Sequence, residues 1–398
     1  MSIVDHLTES KEVKAAALEA IEFTWDLAGA FQATALANTR RVLEALREAR
    51  VSESTLVRLQ FVSGTHAVAC ALVAAAAPGG ELLSLTGPVY RTLRETILGS
   101  GNAPPRGAVH GEAAPAISGG LRDYGITYRE QDLTRLERPW EGVEGALSTQ
   151  TRTVYIQRSR GYSDRPALST ETIGRIIREV KARNPGCAVV VDNCYGEFVE
   201  DCEPPSVGAD LVAGSLTKNP GGGLARTGGY VAGRSAFVDA AAARLTAPGI
   251  AVEVGATLGL NREFLQGLFL APHVVCESLK GAVFCARLFE NLGFEVRPRA
   301  VEPRHDIVQA IKLGSARRLS AFCRAIQSWS PVDSHVTPEP WRMPGYGQDV
   351  IMAAGTFTQG ASIELSADAS VEEPYWVYVQ GGLSMEHTRI ATLIAAHA

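Results

Sequence analysis

Between residues 58 and 245 the sequence repeats one pattern: a short apolar-rich run, a break, then a stretch with apolar residues at helical spacing. The strand-like runs are ELLSLTG (81–87), YGITYRE (124–130), RTVYIQRS (152–159), CAVVVDN (187–193), DLVAGSL (210–216) and GGYVAG (228–233). The clearest helical stretches between them are HAVACALVAAAA (66–77) and TETIGRIIREVKAR (170–183). Strands this uniformly apolar need cover on both faces, which a mainly parallel sheet flanked by helices provides. The pattern predicts a large α/β domain over 58–284. A helical segment, 1–57, precedes it, with apolar residues at helical spacing in RRVLEALREA. A smaller C-terminal α/β domain, 285–398, follows. A long amphipathic helix is expected at 274–292, and TPEPWRMPGYG (337–347) reads as an ordered surface loop.

Charge and cysteine content narrow the function classes. A net charge of −5 with 20% charged residues offers too little positive charge for a nucleic-acid backbone binder. The opening MSIVDHLTESKEVKAA carries acidic residues and no apolar core, unlike a signal peptide. No uncharged apolar stretch reaches the length of a membrane span. Seven cysteines without a CxxC pair, with Cys70 and Cys285 inside apolar helical stretches, read as reduced thiols. The expectation is a cytoplasmic protein that binds neither membrane nor nucleic acid, and no metal site is expected.

The chemistry gathers at the carboxyl ends of the strands, where ligands sit in such sheets. Asp192 closes the apolar run VVVDN; a carboxylate there can pair with a protonated ring nitrogen of a cofactor, although it also serves as an ordinary helix cap or turn residue. Lys218, in GSLTKNPGGG, follows the next strand and precedes glycines 221–223, which would let the backbone pass close to a bulky ligand. A lysine so placed suits a Schiff base with an aldehyde. Alone it would equally be a solvated residue, and the pairing with Asp192 on a neighbouring strand end is what favours chemistry. Ser215 and Thr217 offer hydroxyls to a phosphate.

VSGTHA (62–67) leads into a helix, so Ser63, Gly64 and Thr65 form a candidate anion cup of backbone N–H groups and hydroxyls. The helix-end field adds only about 0.3–1 kcal/mol, so hydrogen bonds must supply most of the grip. A simple Ser/Thr-capped helix has the same signature. His66 either packs at the helix start or lies over the cofactor. Tyr90, in LTGPVYRTLRE, is placed to stack on a cofactor ring and to move protons, though single aromatics at helix starts also pack. Arg158, Arg160 and Arg165 crowd QRSRGYSDRP. One of them, Arg158 or Arg160 first, can hold a substrate carboxylate in two-pronged fashion, and a salt-bridged loop is the alternative.

Together these motifs resemble the methionine γ-lyase-like family, also known as aluminium resistance proteins, a cystathionine-type branch of the fold-type-I pyridoxal 5′-phosphate (PLP) enzymes. The matching text includes VSGTHA, IQRSRGYS, VVVDNCYGEFVED, ADLVAGSLTKNPGGGLA, TGGYVAGR, RLTAPGI, QGLFLAPHVV, SPVDSHVTPEPW, MPGYGQDVIMAAGTFTQGASIELSAD and YVQGGL, from about residue 40 to the end. The resemblance implies an aspartate-aminotransferase-like fold, PLP on Lys218, and Asp192 at the pyridine nitrogen. It also implies a homodimer or dimer of dimers (a homotetramer) with active sites shared between subunits.

Departures from the family pattern are informative. A tyrosine-rich segment before a conserved arginine is FQATALANTRR here, keeping Arg40 but placing Ala33 and Ala35 where tyrosines are usual. A lysine–proline step becomes Pro88-Val89, an acidic residue becomes Arg91, and a tryptophan becomes Asp164. Segment 100–119 is longer and richer in Gly, Pro and Ala. The cofactor-holding residues are kept while presumed substrate-facing ones differ, which points to a specialised member.

The expected reaction is γ-elimination or γ-replacement on a γ-substituted L-amino acid, through Cα and Cβ deprotonation by Lys218 with Tyr90 as acid. The alternatives are halide loss from a γ-halo-allylglycine to give an alkynyl amino acid of the propargylglycine type, cysteine-conjugate β-elimination, transamination, and a non-catalytic PLP-binding sensor.

Overall fold

The computed structural model describes residues 8, 10–48, 55–99, 119–342 and 348–398. Most of the opening decapeptide, nearly all of segment 100–119, and residues 343–347 of the expected loop lie outside the described residues.

The expected strands all form, within a seven-stranded sheet of order β1-β7-β6-β5-β4-β2-β3. They are β2 (Glu81–Ser84), β3 (Thr127–Glu130), β4 (Thr151–Gln157), β5 (Ala188–Asp192), β6 (Leu211–Ser215) and β7 (Gly229–Gly233). Strands β2 to β6 run parallel, whereas β7 pairs antiparallel with β6. Beyond β7 lies β1 (Thr55–Arg58), also antiparallel. That strand corrects the expectation of helix up to residue 57. Four residues carry no usable periodicity, and β1 is held by a partner some 170 positions away in sequence.

Strand alternation explains the uniformly apolar runs. Ala188 and Val190 of β5 pack against helices Gly64–Ala75 and Ser235–Leu245. Val189 and Val191 face the opposite core, which includes Ile173, Ile176 and Val180 of helix Thr170–Arg183. Each strand is thus buried on both faces, and by the same parity Asp192 points to the side of helix Gly64–Ala75.

The C-terminal part is a five-stranded sheet, β10-β11-β12-β9-β8, entirely antiparallel. Its strands are β8 (Glu295–Arg297), β9 (Val308–Lys312), β10 (Val350–Ala353), β11 (Ser366–Ser370) and β12 (Trp376–Gln380), with helices Ala316–Ser328 and Met385–His397 packed on it. The N-terminal helix Lys11–Glu48 buries Val13, Ala16, Ala17 and Ala20 in that same core.

The expected 274–292 helix is longer, running Asn261–Asn291. By length and composition it carries a window apolar enough to cross a bilayer, but most of that window is buried inside the fold. Within it the buried Glu277 and Lys280 form an ion pair. All seven cysteines are free thiols.

Candidate functional site

Three turns meet at the carboxyl edge of the sheet. Asp192 ends β5, is 2% exposed, and accepts the Tyr155 hydroxyl at 3.1 Å and the Cys194 amide at 3.1 Å. Tyr155 lies on β4, where Gln157 is in register with Asp192. Lys218 follows β6. Its Nζ stands 3.8 Å from the centroid of the Tyr195 ring, and among the described residues no carboxylate lies within 4.0 Å of it. Burial would lower the amine's pKa, but Cys194, Tyr195, Asp192 and Glu197 around it raise it overall, so Lys218 is held as the ammonium.

The third turn is Ser63–Gly64. Ser63 caps helix Gly64–Ala75, accepting the His66 amide at 3.2 Å. The first amides of a helix have no intrahelical partners and face outward. A Cβ on Gly64 would lie 2.9 Å from the Ser215 Cβ and 3.4 Å from the Cys194 sulfur, so glycine lets this turn dock against the ends of β5 and β6. The Ser215 and Thr217 hydroxyls bond each other at 2.9 Å beside it. Tyr90 caps the next helix, Arg91–Leu98, by position but not by side chain. Burial, with Asp192 and Cys194 nearby, pushes its pKa well up, so it stays protonated.

The sequence-selected residues Ser63, Gly64, Thr65, Tyr90, Asp192, Ser215, Thr217 and Lys218 therefore share one edge. Tyr155 and Tyr195 were missed. Tyr195 sits at φ 72, which a β-strand and helix reading cannot anticipate. Tyr155 was hidden inside an apolar strand, and its hydroxyl gave the one signal of a polar partner nearby.

Other residues singled out by the sequence have partners of their own. His66 engages its own surroundings: its Nδ1 accepts the Val62 amide at 3.4 Å, and its ring meets Phe61 edge-on at 5.6 Å. Glycines 221–223 serve internal packing rather than ligand approach: a Cβ at Gly221 would lie 1.9 Å from the Leu216 oxygen, at Gly222 2.5 Å from the Gly267 oxygen, and at Gly223 2.6 Å from the Leu383 side chain. Asp164 pairs with Arg297 at the surface. The FQATALANTRR stretch lies against the turn after Asp192, with Asn38 donating to the Phe198 and Glu200 carbonyls at 3.2 and 3.1 Å. Arg40 is exposed and bonds Glu44 at 2.8 Å.

Of the three arginines, Arg158 is closed by carboxylates, whereas Arg160 and Arg165, both 5% exposed, bond only backbone carbonyls through their guanidinium groups. Arg158 is fully enclosed, and its guanidinium is taken by Glu200 at 2.5 Å, Glu203 at 3.2 Å and Asn193 at 2.8 Å, which leaves no fork for a ligand. Arg160 turns to the C-terminal part, donating to the Arg297 carbonyl at 2.9 Å. Arg165 is 5% exposed and bonds only the Ser159 and Pro166 carbonyls. Burial lowers its pKa to about 10, opposed by the more distant carboxylates Asp132 and Asp306. An enclosed guanidinium without a bound carboxylate is the arrangement that an anionic ligand completes.

The donor set suits PLP. The helix start and hydroxyls offer a seat for a phosphate, Lys218 an amine for the aldehyde, and Asp192 an acceptor already fixed by two hydrogen bonds for a ring N–H.

Comparison with known proteins agrees. A family model described as methionine gamma-lyase matches residues 39–398. The protein YnbB of Bacillus subtilis, uncharacterized, is 50% identical over 340 residues, covering 85% of this chain and 78% of its own. The crystal structure of a carbon-sulfur lyase involved in aluminum resistance from Clostridium novyi NT is 40% identical with a TM-score of 0.88, covering 98% of this chain and 96% of that one. An L-methionine gamma-lyase of Treponema denticola is 29% identical over 153 residues, 38% of this chain and 34% of that protein.

Proposed function

The chain belongs to the methionine gamma-lyase family, and from that premise we propose that it eliminates the γ-substituent of an L-amino acid with Lys218 as the cofactor-bearing lysine. Fold-type-I architecture and PLP dependence come with the family, and the coarse activity is that of a PLP-dependent carbon–sulfur lyase. The observation that carries the residue assignment is the convergence of Lys218 and Asp192 at the ends of adjacent parallel strands, with the Ser63–Gly64 turn docked on both.

When bound, PLP supplies an electron sink for the pair left at Cα by proton removal. The chain's own groups do the rest. Asp192 keeps a proton on the ring nitrogen, and Tyr155 and the Cys194 amide hold Asp192 in place. Lys218, once neutral, takes the proton from Cα, gives it up, and only then, neutral again, takes the proton from Cβ, and the Tyr195 ring fixes the direction from which its Nζ approaches. Arg165 receives the substrate α-carboxylate. Tyr90, protonated at neutral pH, is the acid for a poor leaving group such as a thiolate, whereas a halide needs none.

A homo-oligomer fits the exposed apolar residues of the 250–269 segment and the N-terminal helix, among them Leu258 and Leu36 at 74% and 73% exposure.

The test is mass spectrometry of reactions in deuterated water with γ-thio, γ-oxy and γ-halo-allyl amino acids. Deuterium at Cβ with loss of the γ-group supports the proposal, and the best substrate identifies the leaving group. Exchange at Cα alone redirects the assignment to β-elimination or transamination. PLP binding without turnover of any compound indicates a sensor.

A further inference from the structure

Glu197 is a buried carboxyl that the proposed chemistry leaves unused. It is 4% exposed on the turn that follows Asp192. One oxygen accepts the Tyr230 hydroxyl at 2.8 Å; the other is enclosed without any hydrogen-bond partner. Tyr230 in turn accepts the Asn193 amide at 3.3 Å. A Cβ at Gly214 would stand 2.6 Å from the Glu197 carboxylate oxygen, so β6 lacks a side chain at the point where this carboxyl reaches it. Gly214 alternates with Ser215, which faces Gly64, so Glu197 approaches β6 from the side opposite the Ser63–Gly64 turn. Its main chain is tied to the lysine as well. The Glu197 carbonyl accepts the side-chain amide of Asn219 at 2.9 Å, and Asn219 is the residue after Lys218.

We propose that Glu197 is a positioning residue for Lys218, clasping the Lys218–Asn219 turn from the far side of the sheet and setting the charge on the lysine. The inference rests on reading Lys218 as the cofactor lysine. A carboxylate with one oxygen sealed from water and partners is costly as an anion. Burial raises the Glu197 pKa to about 8, against the pull of its own backbone amide; Glu203 adds to the rise, while Tyr230 and Lys218 oppose it. At neutral pH Glu197 is therefore the uncharged acid and adds no negative charge beside Lys218. Above that pH a second carboxylate appears and strengthens the hold on the Lys218 ammonium, which neither adds to an aldehyde nor takes a proton. The other groups facing the pair are Cys194 and Tyr195 on the lysine side, and Glu203, Tyr230 and Arg158 on the carboxyl side.

The experiment follows PLP uptake by the cofactor-free protein through its visible band, from pH 6.5 to 9.5, for wild type and Glu197→Gln. Uptake rises with the neutral amine. In the wild type the rise flattens as Glu197 ionises near pH 8, whereas in Glu197→Gln it continues, reaching about tenfold faster uptake at pH 9 for a one-unit difference in the lysine's pKa. Tyr230→Phe provides a second route if the glutamine variant does not fold. Loss of its hydrogen bond raises the Glu197 pKa further and moves the flattening to higher pH. Superimposable pH curves for wild type and variants overturn the proposal. A wild type that takes up no PLP at Lys218 overturns the cofactor reading instead, and the two failures are distinct.

Discussion

The Lys218 ammonium sits 3.8 Å above the Tyr195 ring, and Tyr195 reaches that position by adopting a left-handed backbone at φ 72. The ring orients the amine without neutralising it. Tyr195→Phe keeps the face and should hold kcat/KM within about threefold. Tyr195→Leu removes a cation–π contact worth about 0.5–2 kcal/mol and should lower kcat/KM by about 2- to 30-fold. Equal losses in both variants would transfer the role from the ring to the hydroxyl.

Tyr155 donates to Asp192 from a fully buried position. Tyr155→Phe leaves the carboxylate one donor short, at a cost of about 1.5–3 kcal/mol for a hydrogen bond to a charged group. PLP affinity, read from the visible band at increasing cofactor concentration, should weaken by about tenfold or more while the apo protein keeps its fold. Unchanged affinity would detach Asp192 from the cofactor.

Arg165 and Arg158 should fail in different ways. Arg165→Lys loses the two-pronged fork and should raise KM for amino-acid substrates by about tenfold or more with PLP content intact. Arg158→Met leaves Glu200 and Glu203 without their cation and should lower unfolding stability by about 3–5 kcal/mol in urea titration. A KM effect from Arg158 with normal stability would reverse the assignment.

Asp368 of β11 accepts the Tyr162 hydroxyl at 2.6 Å and the Gln380 amide at 2.9 Å, so the loop after β4 is stitched to the C-terminal sheet. Burial raises the Asp368 pKa to about 6. A carboxyl with a raised folded pKa binds its proton more tightly in the folded state, so its effect is absent below about pH 4 and costs stability as pH climbs through 6. Asp368→Asn keeps an acceptor without the charge. It should match wild type near pH 4 and exceed it above pH 6 by on the order of 2–3 kcal/mol, measured by urea midpoints at both pH values. A variant less stable at both would make the charge favourable.

Gly222 adopts φ 53, and a Cβ there would meet the Gly267 carbonyl at 2.5 Å. Gly222→Ala should lower the thermal midpoint of the apo protein, with a cost of about 1–3 kcal/mol typical of overpacking. A ligand-approach role would instead leave the apo protein unaffected and lower PLP affinity alone.

Chain periodicity already identified β2 to β7, because a strand buried on both faces must be apolar at consecutive positions, as Val189, Val190 and Val191 are. Polar residues closing such runs then marked Asp192 and Lys218, since a parallel sheet puts its carboxyl ends together. The antiparallel edge strand β1 escaped notice because its pairing is entirely long-range.

The sequence by itself thus determined six of the sheet's seven strands and pointed to the two residues of the proposed cofactor site, both matters of local spacing along the chain. Only the tertiary structure decided which arginine is closed off by carboxylates, which tyrosines serve Lys218 and Asp192, and that the three glycines meet packed neighbours. Those choices depend on which charges and hydroxyls meet through space. Arg158, Arg160 and Arg165 are alike in the sequence, and only their partners in space distinguish them.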